Sequence, residues 1–150
     1  MNQTASIAAT DITTHSDSGF ILPDLLSDCH YPLRLNPHCD PVSRASEQWL
    51  LNGARLTEPE ITAFMGLHAG EFTAACYPDG DASHLRVCSD FVNWLFSIDD
   101  WMDGSDVDDT WGMRECCMSA FRDPINFHME KRGAKMCKSY VDLFYHTRSF

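Results

Sequence analysis

The sequence predicts an all-α fold, because apolar residues recur at helical spacing and no alternating run of apolar and polar residues indicates a strand. Capping and helix-breaking residues divide the chain into segments of helical length. With 150 residues and 44% hydrophobic composition, the chain can form a single modest domain with its own core. We expect that domain to span residues 19–150, after a disordered tail at residues 1–18 that is rich in Ser and Thr.

The first half of the chain contains two predicted helices after an apolar segment at residues 20–26, which we expect to lie as an extended arm on the core. The first helix should begin near Asp40, an acidic N-cap, and end at Asn52-Gly53. The second should begin at Thr57, because Thr57 and Glu60 have the spacing of a capping box. Its expected apolar stripe contains Ile61, Phe64, Met65 and His68.

The second half is predicted to hold the longest helix, with Ser83 as its N-cap and Asp103 at its end. An acidic loop is expected at residues 106–109, followed by a helix at 111–121 and a last helix at 125–145. A proline after the first of these two helices predicts the break between them.

The net charge of −11 argues against nucleic acid as a partner. The negative charge is concentrated between Asp79 and Asp109, where nine aspartates occur with one basic residue, Arg86. Such a block attracts cations, although the same charge also serves plain solubility.

The seven cysteines show no C-x-x-C pair and no zinc-finger spacing, so we expect most of them to be small buried thiols in a reducing compartment. The first residues lack the basic and apolar regions of a signal peptide, and no apolar run approaches the ~18 residues of a membrane span. We therefore expect a cytoplasmic protein without a membrane span.

Three carboxylates end an apolar run at residues 91–98: Asp99, Asp100 and Asp103. On a helix that turns about 100° per residue, Asp99 and Asp103 share one face, and Asp100 is turned about 100° from Asp99. Carboxylate oxygens suit Mg²⁺, which often takes only one or two of them. Spacing alone leaves both a metal site and an exposed acidic helix end open. The apolar run favours the mouth of a site, because it buries the helix.

Two aromatic residues, Trp94 and Phe96, precede the aspartates in the same run. Aromatic rings bury large apolar areas and can also face a cationic substrate. Each ring can therefore pack in the core or line an apolar substrate pocket, and both roles stay open.

The pattern Phe96-x-x-Asp99-Asp100-x-x-Asp103 at the end of an apolar helix resembles the aspartate-rich motif of class I terpene cyclases. The likeness extends over residues 20–150, because further segments resemble the fungal sesquiterpene synthases in the same order. These segments are Leu22-Pro23, Arg34-Leu35-Asn36-Pro37, Ser46-Glu47-Gln48-Trp49-Leu50, Tyr77-Pro78-Asp79, Leu85-Arg86-Val87, Asp90-Phe91, Trp94-Leu95-Phe96, Arg122-Asp123-Pro124 and Lys138-Ser139-Tyr140.

The resemblance implies a terpene synthase, a lyase whose α-helical bundle surrounds an apolar pocket, with Mg²⁺ holding the diphosphate of farnesyl diphosphate at the pocket mouth. Departure of the diphosphate would leave an allylic cation, which the pocket folds and cyclises. By position, Asp99 is the first candidate for a Mg²⁺ ligand and Asp103 the second. Asp100 would accept a hydrogen bond from a basic partner or add charge near the metal. Phe96 and Trp94 would line the pocket.

Two features of the resembled family have no counterpart in this sequence. That family's domain is much longer, with a second metal motif of the form Asn-Asp-x-x-Ser-x-x-x-Glu and with arginines that grip the diphosphate. We therefore interpret the chain as the N-terminal half of a cyclase whose C-terminal half is missing, either a truncated gene product or an incomplete gene prediction. We expect this chain alone to be inactive.

Two other functions stay open. A prenyl chain-elongating synthase uses a similar aspartate motif, but residues 104–111 lack the pair of arginines that usually follows it. A non-catalytic acidic helical remnant, or an interaction protein of cyclase ancestry, would account for the missing second motif. A protein that contains this segment together with that motif would favour the enzyme.

Overall fold

The computed structural model describes Asp24, Ser27 and residues 29–128 and 132–147. The chain divides into two compact units, Met1–Pro32 and Leu33–Phe150. The described residues of the second unit form six α-helices and no strand, which confirms the predicted all-α class. The helices are α1 Cys39–Ala54, α2 Glu58–Gly66, α3 Ala69–Cys76, α4 Ala82–Asp103, α5 Val107–Arg122 and α6 Arg132–Thr147.

The longest helix, α4, is the centre of the second unit. It packs against α1, α3 and α6, and α5 packs on α6. The largest group of buried apolar side chains comes from five of the six helices: Leu50, Ala54, Phe64, Trp94, Ile98, Cys117, Ala120, Met136, Cys137 and Val141. Removing these side chains from water is the main favourable contribution to folding. None of the described helices is long and apolar enough to cross a membrane.

Helix α1 has different ends from those predicted. His38, rather than Asp40, occupies the N-cap position, and the helix continues past Gly53 to Ala54. The α6 helix packs closely at Gly53, where a Cβ would overlap the Met136 side chain. The chain leaves the helix at Arg55, whose φ of 50° lies in the left-handed region.

The second predicted helix is two helices in the structure, α2 and α3. Its capping box forms as predicted, because the Thr57 amide and hydroxyl both donate to the Glu60 carboxylate, at 2.7 and 2.8 Å. His68 does not belong to the apolar stripe, since it is exposed and its φ of 49° ends the run of helical residues. The break lets α3 approach α1 at Gly70, where a Cβ would overlap Ser43.

Two further helix starts correct the predictions. The N-cap of α4 is Asp81 rather than Ser83, and its carboxylate accepts from the amides of Ser83 and His84, both at 2.9 Å. The acidic loop expected at residues 106–109 is the start of α5. Asp106 is the N-cap of that helix, and its carboxylate accepts from the Asp109 amide at 2.8 Å. Acidic residues stabilise this end of a helix through its dipole.

The last helix begins at Arg132, later than the expected residue 125. Asp123 ends α5, and its carboxylate accepts from both the backbone and side-chain nitrogens of Asn126. Such local bonds compete with a helix. Lys138 then donates to the Phe127 carbonyl oxygen at 3.1 Å, which attaches the connection to α6. The predicted tail at residues 1–18, and most of the predicted arm at 20–26, lie outside the described residues.

Candidate metal and substrate site

The three aspartates lie in the last two turns of α4. All three side chains are exposed, whereas Trp94, Ser97 and Ile98 just before them are buried. The buried part of α4 fixes the direction of its exposed end. Asp99, Asp100 and Asp103 are therefore carried into solvent on a rigid support rather than on a mobile loop.

Asp100 faces a different neighbour from the other two aspartates. It lines a depression of about 410 Å³ between α2 and α4, together with Leu56, Pro59, Glu60, Ala63, Phe64, Ser97 and Trp101. Asp99 and Asp103 do not line this depression. Asp99 and Asp103 lie four residues apart and therefore share one face of α4, which is not the face that borders the depression.

Towards the N-terminal end of α4, the helix face that carries Asp99 and Asp103 is apolar. Phe96 lies three residues before Asp99 and seven before Asp103, so all three fall on one side of the helix. Phe96 is half-buried, and its ring centroid lies 6.1 Å from that of Phe72 in α3, which is 53% exposed. Leu95 is also exposed. The carboxylate pair thus borders an open apolar surface.

Trp94 does not line this surface, which corrects its predicted place in a pocket wall. It is only 7% exposed, and its indole nitrogen donates to the Gly133 carbonyl oxygen at 3.2 Å. Its ring stacks on Tyr140 of α6 with a centroid separation of 6.3 Å and meets Phe121 of α5 edge-on at 6.1 Å. Trp94 therefore packs in the core, on the side of α4 that contacts α5 and α6.

A buried polar group in the middle of α4 was not among the predicted site residues. The side chain of Asp90 is fully buried and accepts from Arg86 Nε at 2.8 Å. Asn93 donates to the Ser46 hydroxyl of α1 at 2.8 Å. Burial raises the pKa of the Asp90 carboxyl, while Arg86 and Ser46 oppose that rise. The group fixes α4 against α1.

The donor set at the end of α4 suits a hard cation. Within the described residues, no three His, Cys, Asp or Glu side chains are already grouped around one point. Asp99 and Asp103 supply carboxylate oxygens on a shared exposed face. This set fits Mg²⁺, which commonly binds one or two carboxylates and completes its shell with water and phosphate oxygens.

Several fungal proteins are similar to this chain, whereas no family model matches it. It is 39% identical over 131 residues to alpha-muurolene synthase from Coprinopsis cinerea, covering 86% of this chain and 31% of that protein. It is 35% identical over 118 residues to sesquiterpene synthase 3 from Postia placenta, covering 79% of this chain and 32% of that protein.

A third relative, sesquiterpene synthase 6 from Postia placenta, is 42% identical over 104 residues, covering 69% of this chain and 30% of that protein. The chain therefore spans about a third of the length of the curated relatives that it matches. With its all-helical fold, the chain is similar to part of the fungal sesquiterpene synthases, in agreement with its resemblance to the class I terpene cyclases.

Proposed function

We propose that this chain forms part of a Mg²⁺-dependent sesquiterpene synthase that ionises farnesyl diphosphate, releases diphosphate and cyclises the remaining carbon chain. One observation carries the proposal. In a chain 39% identical to an alpha-muurolene synthase, two carboxylates share the exposed end of a helix whose same face is apolar.

The carboxylates and the apolar surface have different roles in this proposal. Asp99 and Asp103 would hold Mg²⁺ at the end of α4, and the bound metal would neutralise the charge that develops on the departing diphosphate. Phe96 and Phe72 would form an apolar wall beside them, which excludes water from an allylic cation. Aromatic faces also attract a cation directly.

Asp100 has a separate part in this proposal. Its side chain faces α2 across the depression that Glu60 and Trp101 also line. It would therefore accept a hydrogen bond from a basic partner, or add negative charge near the metal, rather than bind Mg²⁺ on the shared face. The buried bonds of Trp94 to Gly133 in α6 and of Asn93 to Ser46 in α1 hold α4 in place, so that the carboxylates keep their direction.

A chimera tests the proposal without depending on where this sequence begins or ends. The segment of alpha-muurolene synthase that aligns with this chain is replaced by the corresponding residues of this chain. The purified chimera is incubated with farnesyl diphosphate and MgCl₂, and its products are identified by gas chromatography and mass spectrometry. We expect cyclic sesquiterpenes and released diphosphate, and no product when EDTA removes the metal.

The host enzyme without exchange is the positive control, and far-UV circular dichroism checks that the chimera is helical. A folded chimera that releases no diphosphate from farnesyl diphosphate would contradict the proposal. A chimera that works equally well in EDTA would contradict the metal dependence alone.

A further inference from the structure

Helices α5 and α6 bring two buried thiols together. Cys137 of α6 is 0% exposed and Cys117 of α5 is 9% exposed, and both belong to the largest apolar cluster. The Cys137 thiol donates to the Cys117 carbonyl oxygen at an Sγ–O distance of 3.7 Å. The two residues are therefore in direct contact across the interface between the helices.

The two thiols differ in how readily they ionise. The proximity of the two thiols lowers the pKa of the Cys117 thiol and raises that of Cys137. Burial raises both pKa values, but for Cys117 the nearby Cys137 thiol has the larger effect. Because a thiolate is the nucleophile in thiol–disulfide exchange, Cys117 is the better attacking group, and it is also the more accessible of the two.

We propose that Cys117 and Cys137 are an oxidation site, where a small disulfide such as oxidised glutathione converts the two thiols into a cross-link between α5 and α6. The Cys117 thiolate attacks one sulfur of oxidised glutathione, which forms a mixed disulfide and releases one glutathione. The Cys137 thiol then loses its proton and attacks Cys117 Sγ, which releases the second glutathione. Both cysteines are oxidised and one glutathione disulfide is reduced, so the exchange is balanced and reversible by a thiol.

The cross-link would act on the core behind α4. Phe121 of α5 and Tyr140 of α6 both contact Trp94, so fixing α5 to α6 also fixes the rings that support α4. The bond would join residues 20 positions apart in the sequence. Such a bond restricts the unfolded chain, so the oxidised protein should unfold at a higher temperature than the reduced protein.

The test uses the whole 150-residue chain in native buffer. The reduced protein is incubated with excess oxidised glutathione, remaining thiols are blocked with N-ethylmaleimide, and the digest is mapped by mass spectrometry. We expect a linked peptide pair that contains Cys117 and Cys137, mixed disulfides with glutathione at the exposed Cys29 and Cys76, and full recovery of all these thiols after dithiothreitol. The melting temperature should rise on oxidation and fall again on reduction.

Cys116 provides a matched control, because it is buried beside Cys117 on α5 but turned about 100° around the helix. Cys116→Ser should keep the cross-link, whereas Cys117→Ser and Cys137→Ser should each abolish it. If a variant does not fold, the peptide map of the wild-type protein decides whether Cys117 and Cys137 become linked. Retention of the Cys117 and Cys137 thiols in the native protein, under conditions that oxidise them in the urea-denatured chain, would overturn the proposal. A linked peptide that involves Cys116 would also overturn it.

Discussion

Asn36 donates its side-chain amide to the carbonyl oxygen of Tyr77 at 2.8 Å and so ties the segment before α1 to the loop between α3 and α4. The same amide reaches the Gly80 carbonyl oxygen at 2.7 Å, and the side-chain oxygen accepts from the His38 amide at 2.9 Å. Asn36 is 2% exposed. Its truncation would therefore remove three part-buried hydrogen bonds between this buried side chain and the backbone.

We expect Asn36→Ala to lower the free energy of unfolding by about 2–4 kcal/mol, because it removes three hydrogen bonds that each contribute about 0.5–1.5 kcal/mol. Urea denaturation followed by far-UV circular dichroism measures the change. Asn52→Ala is the control, since exposed Asn52 only accepts a bond from Gln48 one helical turn away. Its expected cost is below about 0.5 kcal/mol. Equal losses in the two variants would contradict the assigned role of Asn36.

The contact between α3 and α1 at Gly70 leads to a second prediction. A Cβ at Gly70 would overlap the side chain of Ser43, so Gly70→Ala should destabilise the protein by about 1–3 kcal/mol. A Cβ added at Gly66 would meet no heavy atom within 4 Å, and Gly66 has no positive φ. Gly66→Ala should therefore be neutral or stabilise by up to about 1 kcal/mol. Thermal unfolding of both variants compares them directly, and a destabilised Gly66→Ala with an unaffected Gly70→Ala would reverse the prediction.

The sequence predicted those features that depend on neighbours along the chain. The capping box of Thr57 and Glu60 and the end of α4 at Asp103 are set within one helical turn, and both formed as expected. The end of α1 was not predictable in this way. Gly53 is a good helix terminator by itself, but in the structure it serves the close packing of Met136 from α6 and the helix continues to Ala54.

Burial also depends on residues far away in the sequence. Trp94 and Phe96 lie in one apolar run, and only the positions of Phe121 and Tyr140 show that Trp94 faces the core. Asp90 could be recognised in the sequence only by its spacing of four residues from Arg86. Its complete burial requires the packing of α1, which no local pattern reveals.

The buried carboxyl of Asp90 gives a third prediction, on pH dependence. Burial raises its pKa in the folded protein, while in the unfolded chain it titrates near about 3.9. The folded protein thus binds this proton more tightly, so the contribution of Asp90 to stability falls as pH rises from about 4 through the raised folded pKa. Asp90→Asn does not titrate. The stability of the wild type minus that of Asp90→Asn should therefore decrease with rising pH in this window.

Urea denaturation of both proteins at a series of pH values measures that difference. Three exposed carboxyls, Asp79, Asp81 and Asp123, have lowered pKa values and the opposite pH dependence, but they are present in both proteins and cancel. A difference that stays flat or increases with pH would mean that the bond from Arg86 outweighs burial.

The last prediction rests on the different directions of the Asp99 and Asp100 side chains. It uses the active chimera with alpha-muurolene synthase. We expect Asp99→Asn to lower kcat by at least about 100-fold, because an amide binds Mg²⁺ more weakly than a carboxylate and carries no charge to hold the metal at the leaving diphosphate. Asp100→Asn should lower kcat by no more than about tenfold, since its side chain faces the depression beside α2. Steady-state kinetics with farnesyl diphosphate measures both variants, and far-UV circular dichroism confirms that they fold.

Near-normal turnover of Asp99→Asn with an inactive Asp100→Asn would show that Asp100 is the metal-facing carboxylate. Normal cyclisation by both variants would argue against a metal site at the end of α4, because every pair of exposed carboxylates there includes Asp99 or Asp100.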